Sequence, residues 1–135
     1  MNTNYFLNCV AGNLFNSQVD PALPTEYYIG LSTSTPSVDG TGVTEPNVSA
    51  GYARVLLTNL SAPTSGVVTN NAAISFDEST AGWGTMTHFV IFDSAEVGTG
   101  NLLMFGALST PRSVETATIM TIKEGYLKLS AQNPA

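Results

Sequence analysis

Residues 83–93, WGTMTHFVIFD, hold the only tryptophan and the only histidine of the chain and end in a carboxylate. A histidine paired with a carboxylate is a common general base, and an exposed tryptophan is a common anchor for a ligand or protein. In a strand, however, alternate side chains point to opposite faces. His88, Val90 and Phe92 then share one face, and Phe89, Ile91 and Asp93 share the other. Because His88 and Asp93 would lie roughly 16 Å apart on opposite faces, they cannot pair within this strand.

Other candidates for catalysis or metal binding are weaker. Asp77 and Glu78 are neighbours and so face apart in a strand, whereas glycosidases need two carboxylates that face each other across a sugar. The chain has no Gly-x-Ser-x-Gly elbow, and Cys9, its single cysteine, is expected to be a small buried residue. Asp39 and Asp93 begin glycine-rich segments that could offer oxygens to Ca²⁺, but their spacing is not that of an EF-hand and is typical of turns. We therefore predict no catalytic residue, no cofactor and no metal site.

The charge pattern restricts the partners. Only 10% of the residues are charged, against roughly 25% in a typical domain, and the net charge is −6. The four cationic residues are scattered along the sequence, whereas proteins that bind nucleic acid cluster them. No apolar run approaches the ~20 residues of a membrane span, and no basic leader precedes the first apolar segment. We expect no nucleic-acid partner, no membrane partner and synthesis in the cytoplasm.

Residues 1–16 are predicted to form one short helix. Thr3 or Asn4 can cap it. The predicted inner stripe consists of Phe6, Val10 and Leu14, with Leu7 and Phe15 beside it.

From residue 26 onward the hydrophobic period becomes two, with Tyr27, Ile29 and Leu31 on one face. Short apolar segments follow, separated by Gly- and Pro-rich turns and without intervening helices. We predict an all-β fold: an antiparallel, jelly-roll-like β-sandwich of about eight strands with one N-terminal helix. The chain is predicted to be a single domain, 1–135, with the sandwich over 26–131.

Three later segments carry specific predictions. GNLLMFGALST, residues 100–110, is an almost continuous apolar run and predicts a strand buried on both faces. VETATIMTIK, residues 114–123, alternates and predicts a strand with one bulge. Its predicted inner residues are Val114, Ala117, Ile119 and Ile122. GYLKLSA closes the fold, with Leu129 and either Tyr126 or Leu127 facing inward.

Two segments are candidates for contact with a partner. Tyr5, Phe6 and Leu7 are adjacent apolar residues, and one helix face cannot bury all three against a small core. The helix can seal the end of its own sandwich or dock on another subunit. Residues 33–50 form a long polar loop, and long loops are often functional. The predicted partner-binding residues are Tyr5, Phe6, Leu7, Val38, Val43 and Trp83. Trp83 is interpreted as a core-edge ring or as an exposed anchor.

The order of several segments is distinctive. YYIGLSTSTP is followed by GYARVLLTN, NNAAISF, GWGTMTHFVIFD and GNLLMFGAL. Over roughly residues 4–130 this pattern resembles a family of small tailed-bacteriophage virion structural proteins, labelled as tail-fibre or as capsid decoration and cement proteins. The resemblance implies a non-enzymatic virion protein that assembles in the host cytoplasm, binds capsid or tail proteins, and forms a homo-oligomer or occurs in many copies.

Three functions are compatible with these observations. The leading hypothesis is a capsid decoration or cement protein, because a surface poor in charges suits permanent interfaces. The second is a small tail-fibre or baseplate accessory protein. The third is a carbohydrate-binding or hydrolytic β-sandwich that uses Trp83, His88, Asp77 and Asp93.

Overall fold

The computed structural model describes residues 1–16 and 23–130. Over these residues one helix is followed by eight strands. The elements are α1 (Asn4–Phe15), β1 (Tyr28–Ser32), β2 (Val55–Leu56), β3 (Val67–Thr69), β4 (Ile74–Ser75), β5 (Gly84–Phe92), β6 (Leu102–Val114), β7 (Thr121–Ile122) and β8 (Lys128–Ser130), with a 3₁₀ turn at Val48–Ala50. Every strand pairing is antiparallel. The predicted all-β antiparallel fold with an N-terminal helix is confirmed.

The strands form one larger sheet and two ribbons. The sheet has the order β2-β1-β5-β6, and the ribbons are β3-β8 and β4-β7. One core cluster lies between the sheet and the ribbons. Ile29 and Leu31 from the sheet belong to the same cluster as Ile74 of β4 and Leu127, which precedes β8. Burial of these side chains, about 1.5–3 kcal/mol each, holds the short ribbons on the sheet. Ribbons of two or three residues could not persist without that packing.

The two faces of β5 separate as the alternation predicts. Ile91 belongs to the main core, with Phe89 packed against it. Val90 and Phe92 belong to a second cluster with Leu102 and Phe105, against which Val43 of the 33–50 loop packs. The loop therefore covers part of the sheet face that lies opposite the main core.

Helix α1 is capped as predicted, since the Thr3 side chain accepts a hydrogen bond from the Phe6 backbone N–H. Its inner face differs from the prediction. Phe6 and Cys9 are buried, whereas Leu14 and Phe15 are 66% and 86% exposed. The reason is that the Thr3 hydroxyl donates to the Leu102 and Leu103 carbonyls, so the helix is attached at its first turn. Its last turn is exposed.

The prediction for residues 114–123 is wrong in its middle part. Val114 is buried at the end of β6, but Ile119 is exposed and Met120 is buried instead. Ala117 adopts φ 62° and its N–H donates to the Ser79 carbonyl, so this stretch turns instead of remaining extended. The turn shifts the inward-facing position by one residue.

Strand β6 is buried only in its first part. Leu102, Leu103 and Phe105 are buried, but the side chains from Ala107 onward are mostly exposed. β6 is the edge of the sheet, and its outer edge is covered by the chain start, where the Phe105 N–H donates to the Met1 carbonyl. The prediction of a strand buried on both faces therefore holds for the first part of β6 and fails for the second. In the last strand, Leu127 faces inward and Tyr126 is exposed.

Candidate functional site

A dense polar cluster surrounds Arg54. Its Nη2 lies 2.6 Å from Glu45 Oε1, and its Nε donates to Glu45 Oε2 at 3.0 Å. Its Nη1 donates to the Ser94 and Thr99 carbonyls at 2.8 and 3.0 Å. The guanidinium also lies 3.6 Å from the centre of the Phe92 ring. Each nitrogen of this cation thus has a partner within the protein, which is the pattern of a structural ion pair.

Tyr52 completes this cluster, which we call the Arg54 cluster (Glu45, Tyr52, Arg54 and Phe92). The Tyr52 hydroxyl donates to Glu45 Oε2 at 2.6 Å and accepts from the Leu31 N–H at 2.9 Å. Burial is the largest cause that raises the pKa of Tyr52, followed by the Glu45 charge. Because Tyr52 and Arg54 are buried, the cluster is closed to a substrate and ties β1 to the 33–50 and 93–101 loops.

His88 and Asp93 have separate partners. His88 Nδ1 lies 2.9 Å from the Thr87 hydroxyl, and partial burial lowers its pKa. Asp93 accepts from the Asn101 backbone N–H at 2.7 Å and from the Asn101 side-chain amide at 3.0 Å. The predicted turn at Asp93 is confirmed, and the structure does not bring the two side chains together as base and orienting acid.

Trp83 is 5% exposed. Its Nε1–H donates to the Ala50 carbonyl at 2.9 Å, and its ring lies edge-on to Tyr52 with 5.3 Å between centroids. The interpretation as a core-edge ring is confirmed. Because the ring is buried and its N–H is bonded, it offers little surface for a sugar to stack on, and a partner role for Trp83 stays a prediction.

The candidate calcium segments are ordinary turns. Asp39 accepts from the Thr41 N–H at 3.0 Å and from its hydroxyl at 2.6 Å, and these bonds lower the Asp39 pKa. Over residues 1–16 and 23–130 no group of three or more His, Cys, Asp or Glu side chains is placed to hold a metal ion. In the same part of the chain, no helix is long and apolar enough to cross a bilayer.

The two predicted contact segments meet in the structure. The Asn4 N–H at the start of α1 donates to the Val38 carbonyl of the 33–50 loop at 2.8 Å. Phe6 is buried, Tyr5 and Leu7 are half-buried, and Val38 is partly exposed. Of the predicted partner-binding residues, Val38 is therefore the most accessible near this contact, and the binding of all of them to a partner stays a prediction.

A second apolar face of α1 points away from the protein core. Leu7, Ala11, Leu14 and Phe15 follow the spacing i, i+4, i+7 and i+8, which places them on one side of a helix. We call these four residues the outer stripe. Leu14 and Phe15 are among the most exposed large apolar residues described. The apolar spacing is visible in the sequence, but the prediction that places Leu14 in the inner stripe and Phe15 beside it is wrong, because periodicity alone does not identify the core-facing side.

Comparison with known proteins agrees with the resemblance in the sequence. The family model described as "Podophage GP4 fiber I protein gp80" matches residues 2–130. No curated protein matches the chain significantly.

Proposed function

Because the chain belongs to the podophage GP4 fiber I protein gp80 family, and is therefore a phage virion structural protein, we propose that it is a non-enzymatic fibre subunit. In this proposal it binds other virion proteins through the outer stripe of α1. The observation that carries the proposal is a helix that is apolar on both faces.

A helix that is apolar on both faces is usually buried on both, so an exposed apolar face favours a partner that covers it. Phe6 and Cys9 are covered by the protein itself, whereas Leu14 and Phe15 are exposed. Burying one such side chain at an interface contributes roughly 1.5–3 kcal/mol. The helix has no acidic residue in its first turn and no basic residue in its last turn, so few ions would have to be desolvated on assembly.

The remaining partner expectations follow from charge. We expect no nucleic-acid partner and no membrane partner, because the net charge is −6 and Arg54 is already paired with Glu45. We expect no cofactor, and we expect a homo-oligomer or many copies per particle. A capsid decoration or cement role is the alternative in the same class, since it would use the same outer stripe on the shell.

The copy number in purified virions separates the two roles. It is measured by quantitative mass spectrometry against the major capsid protein. A fibre subunit is expected in a small number of copies that remain with purified tails or fibres. A number comparable to that of the capsid subunit, retained on emptied heads, would overturn the fibre assignment and favour decoration.

The contact itself is tested with the double substitution Leu14→Ser and Phe15→Ser. The matched control is Leu56→Ser with Ile119→Ser, which also changes two exposed apolar residues but leaves α1 and the 33–50 loop intact. Both variants are expected to fold with unchanged unfolding midpoints. Only the helix variant is expected to lose incorporation into particles. Equal incorporation of the two variants would overturn the role of the outer stripe.

A further inference from the structure

A cavity of about 270 Å³ opens between β6 and β7. Its floor is apolar and includes Phe89, Met120 and Leu127. Its rim carries Ser109, Thr110, Arg112, Thr121, Lys123 and Tyr126. We call it the Tyr126 groove. An apolar floor with a few polar groups at the rim is the usual construction of a small-ligand site, and this volume is near the lower end for such sites.

An irregularity of β6 forms one wall. The pairing with β5 passes from Met86–Arg112 to His88–Ala107. Four residues of β6, 108–111, therefore stand opposite the single β5 residue Thr87 and form a large bulge. Bulges are frequent next to binding sites because they redirect side chains. This bulge and its Pro111 also blunt the sheet edge, because proline cannot donate to a ladder. Addition of an extended peptide strand is disfavoured here, and a compact ligand is favoured.

The opposite wall is held in place by a buried side chain. Asn70 is 1% exposed, and its Nδ2 donates to the Lys123 carbonyl at 3.0 Å. The Asn70 Oδ1 accepts from the Leu127 N–H at 3.0 Å, and the Asn70 backbone carbonyl accepts from the Gly125 N–H at 2.9 Å. The turn that carries Lys123 and Tyr126 is therefore fixed before any ligand arrives, which lowers the entropic cost of binding.

The groove is positive in an otherwise acidic protein. Arg112 and Lys123, two of the four Lys and Arg residues of the chain, line it, and no Asp or Glu does. Both side chains are exposed, and within the described residues the one ion pair is that of Arg54 with Glu45. Lys128 lines a smaller cavity that shares Phe89 with the groove. Charge complementarity therefore selects an anionic ligand.

Tyr126 adds an aromatic surface at the rim. It is 72% exposed, far more than Tyr52 or Trp83. An exposed ring at the edge of a cavity can stack on a flat apolar face of a ligand while its hydroxyl stays in water. An anionic group and a flat C–H face occur together in an acidic sugar ring.

We propose that the Tyr126 groove binds an acidic sugar unit, such as a hexuronate, of a polysaccharide. Arg112 and Lys123 bind the sugar carboxylate, with the arginine fork suited to two parallel hydrogen bonds. The Tyr126 ring packs on the C–H face of the pyranose. The rim hydroxyls of Ser109, Thr110 and Thr121 exchange hydrogen bonds with the sugar hydroxyls. The proposal does not depend on whether the protein belongs to fibre or shell.

The test is a titration of the full chain with acidic and neutral oligosaccharides, in which NMR or calorimetry measures the binding of each. The acidic probes are trigalacturonate, a hyaluronan tetrasaccharide and sialyllactose, and the neutral probes are maltotriose and lactose. At least one acidic probe is expected to bind, more weakly as NaCl is raised, because the contact is ionic. Failure of all three at millimolar concentration, or equal binding of the neutral sugars, overturns the proposal.

Substitutions locate the binding. Arg112→Gln and Tyr126→Ala are each expected to raise the Kd about tenfold or more. The control is Leu56→Ala, which shortens an exposed apolar side chain outside both the groove and the outer stripe and should leave the Kd unchanged. Hexaglutamate stands for an acidic protein segment, the other kind of anionic partner that the groove could bind. If it binds in the groove and the acidic sugars do not, the occupant is an acidic protein segment and the proposal is wrong.

Discussion

The Arg54 cluster and the Tyr126 groove contain the same residue types, but those of the cluster are buried, whereas Arg112 and Tyr126 of the groove are exposed. Each combines an arginine, a tyrosine and a phenylalanine. In the cluster, Arg54 donates to Glu45 and to two carbonyls and lies on the Phe92 ring. In the groove, Arg112 and Tyr126 are exposed, and their side chains form no hydrogen bond with the described residues.

This difference separates structure from binding. A buried cation whose every nitrogen is bonded inside the protein is closed to a ligand, and its removal leaves a buried charge without a partner. A cation on a groove rim is solvated, so it can exchange water for a ligand at small cost to the fold. The buried cluster should therefore determine stability, and the open groove should determine binding. Four changes test this division.

The largest effect is expected for Arg54→Met. It leaves the Glu45 carboxylate buried without its cation and should lower the free energy of unfolding by about 3–5 kcal/mol. Arg112→Met, the same change at the groove, should stay within about 0.5 kcal/mol of the wild type. Urea unfolding followed by fluorescence measures both. Similar losses in the two variants would contradict the division.

Gly30→Ala is expected to have the next largest effect. The new Cβ would lie 2.8 Å from Glu45 Oε2 and still closer to the Tyr52 hydroxyl, in a cluster that cannot move aside. We expect a loss of about 1–3 kcal/mol.

The matched change is Gly106→Ala, whose Cβ would lie 2.6 Å from the half-buried Phe89 ring of the groove floor. That ring can swing toward the open groove. Gly106→Ala should therefore cost less stability than Gly30→Ala and should weaken sugar binding. The reverse order of stabilities in thermal unfolding would show that the cluster is the softer of the two regions.

Tyr52→Phe sharpens the comparison through pH. It removes the hydroxyl that Leu31 and Glu45 bond to and should cost about 1–2 kcal/mol at neutral pH. Burial raises the Tyr52 pKa in the folded protein, so the unfolded chain loses this proton first as pH rises above about 10. Stability should decrease there in the wild type.

The part of this alkaline decrease that belongs to Tyr52 should disappear in Tyr52→Phe. Tyr126→Phe, the matched groove variant, should leave the neutral-pH stability unchanged. Chemical denaturation between pH 8 and roughly pH 11 measures these changes. An alkaline slope identical in wild type and Tyr52→Phe would contradict the assignment to Tyr52.

The smallest effect concerns His88, beside the Thr87 that faces the β6 bulge. Partial burial lowers its pKa in the folded protein, so the unfolded chain binds the proton first as pH falls below about 6.5. Stability should decrease slightly toward pH 5. His88→Gln should remove this component, since the chain has no other histidine. Thermal midpoints at several pH values decide the point, and an unchanged acid slope in the variant would refute it.

Much of the fold could be predicted because it depends on local periodicity. The alternation around Ile29 and Leu31 placed both on the core face, and both are fully buried. Thr3 was identified as a possible cap from residue type alone, and it is the cap. The failures occur where a distant contact breaks the local pattern, as at Ala117, whose bond to Ser79 turns the chain before Ile119 can face inward.

The candidate binding residues were less predictable. Trp83 and His88 attracted attention by their rarity, yet Trp83 is a core residue. Arg112 and Lys123 seemed scattered in the sequence, but the bulge of β6 and the turn held by Asn70 bring them to the rim of one groove. The rarity of Trp83 and His88 is therefore a weaker indication of a binding site than the unpaired charges of Arg112 and Lys123. Whether a charge is paired depends on the folded chain.

The sequence by itself determined the secondary-structure class, the low charge and the two apolar faces of α1, because these follow from composition and from spacing along one element. Only the tertiary structure decided which face is covered, since the Thr3 bonds to β6 turn Phe6 inward and leave Phe15 outside. It also decided which arginine is structural. The partners of Arg54 come from two distant loops, and no local pattern can show that Glu45 and Ser94 will meet at one guanidinium.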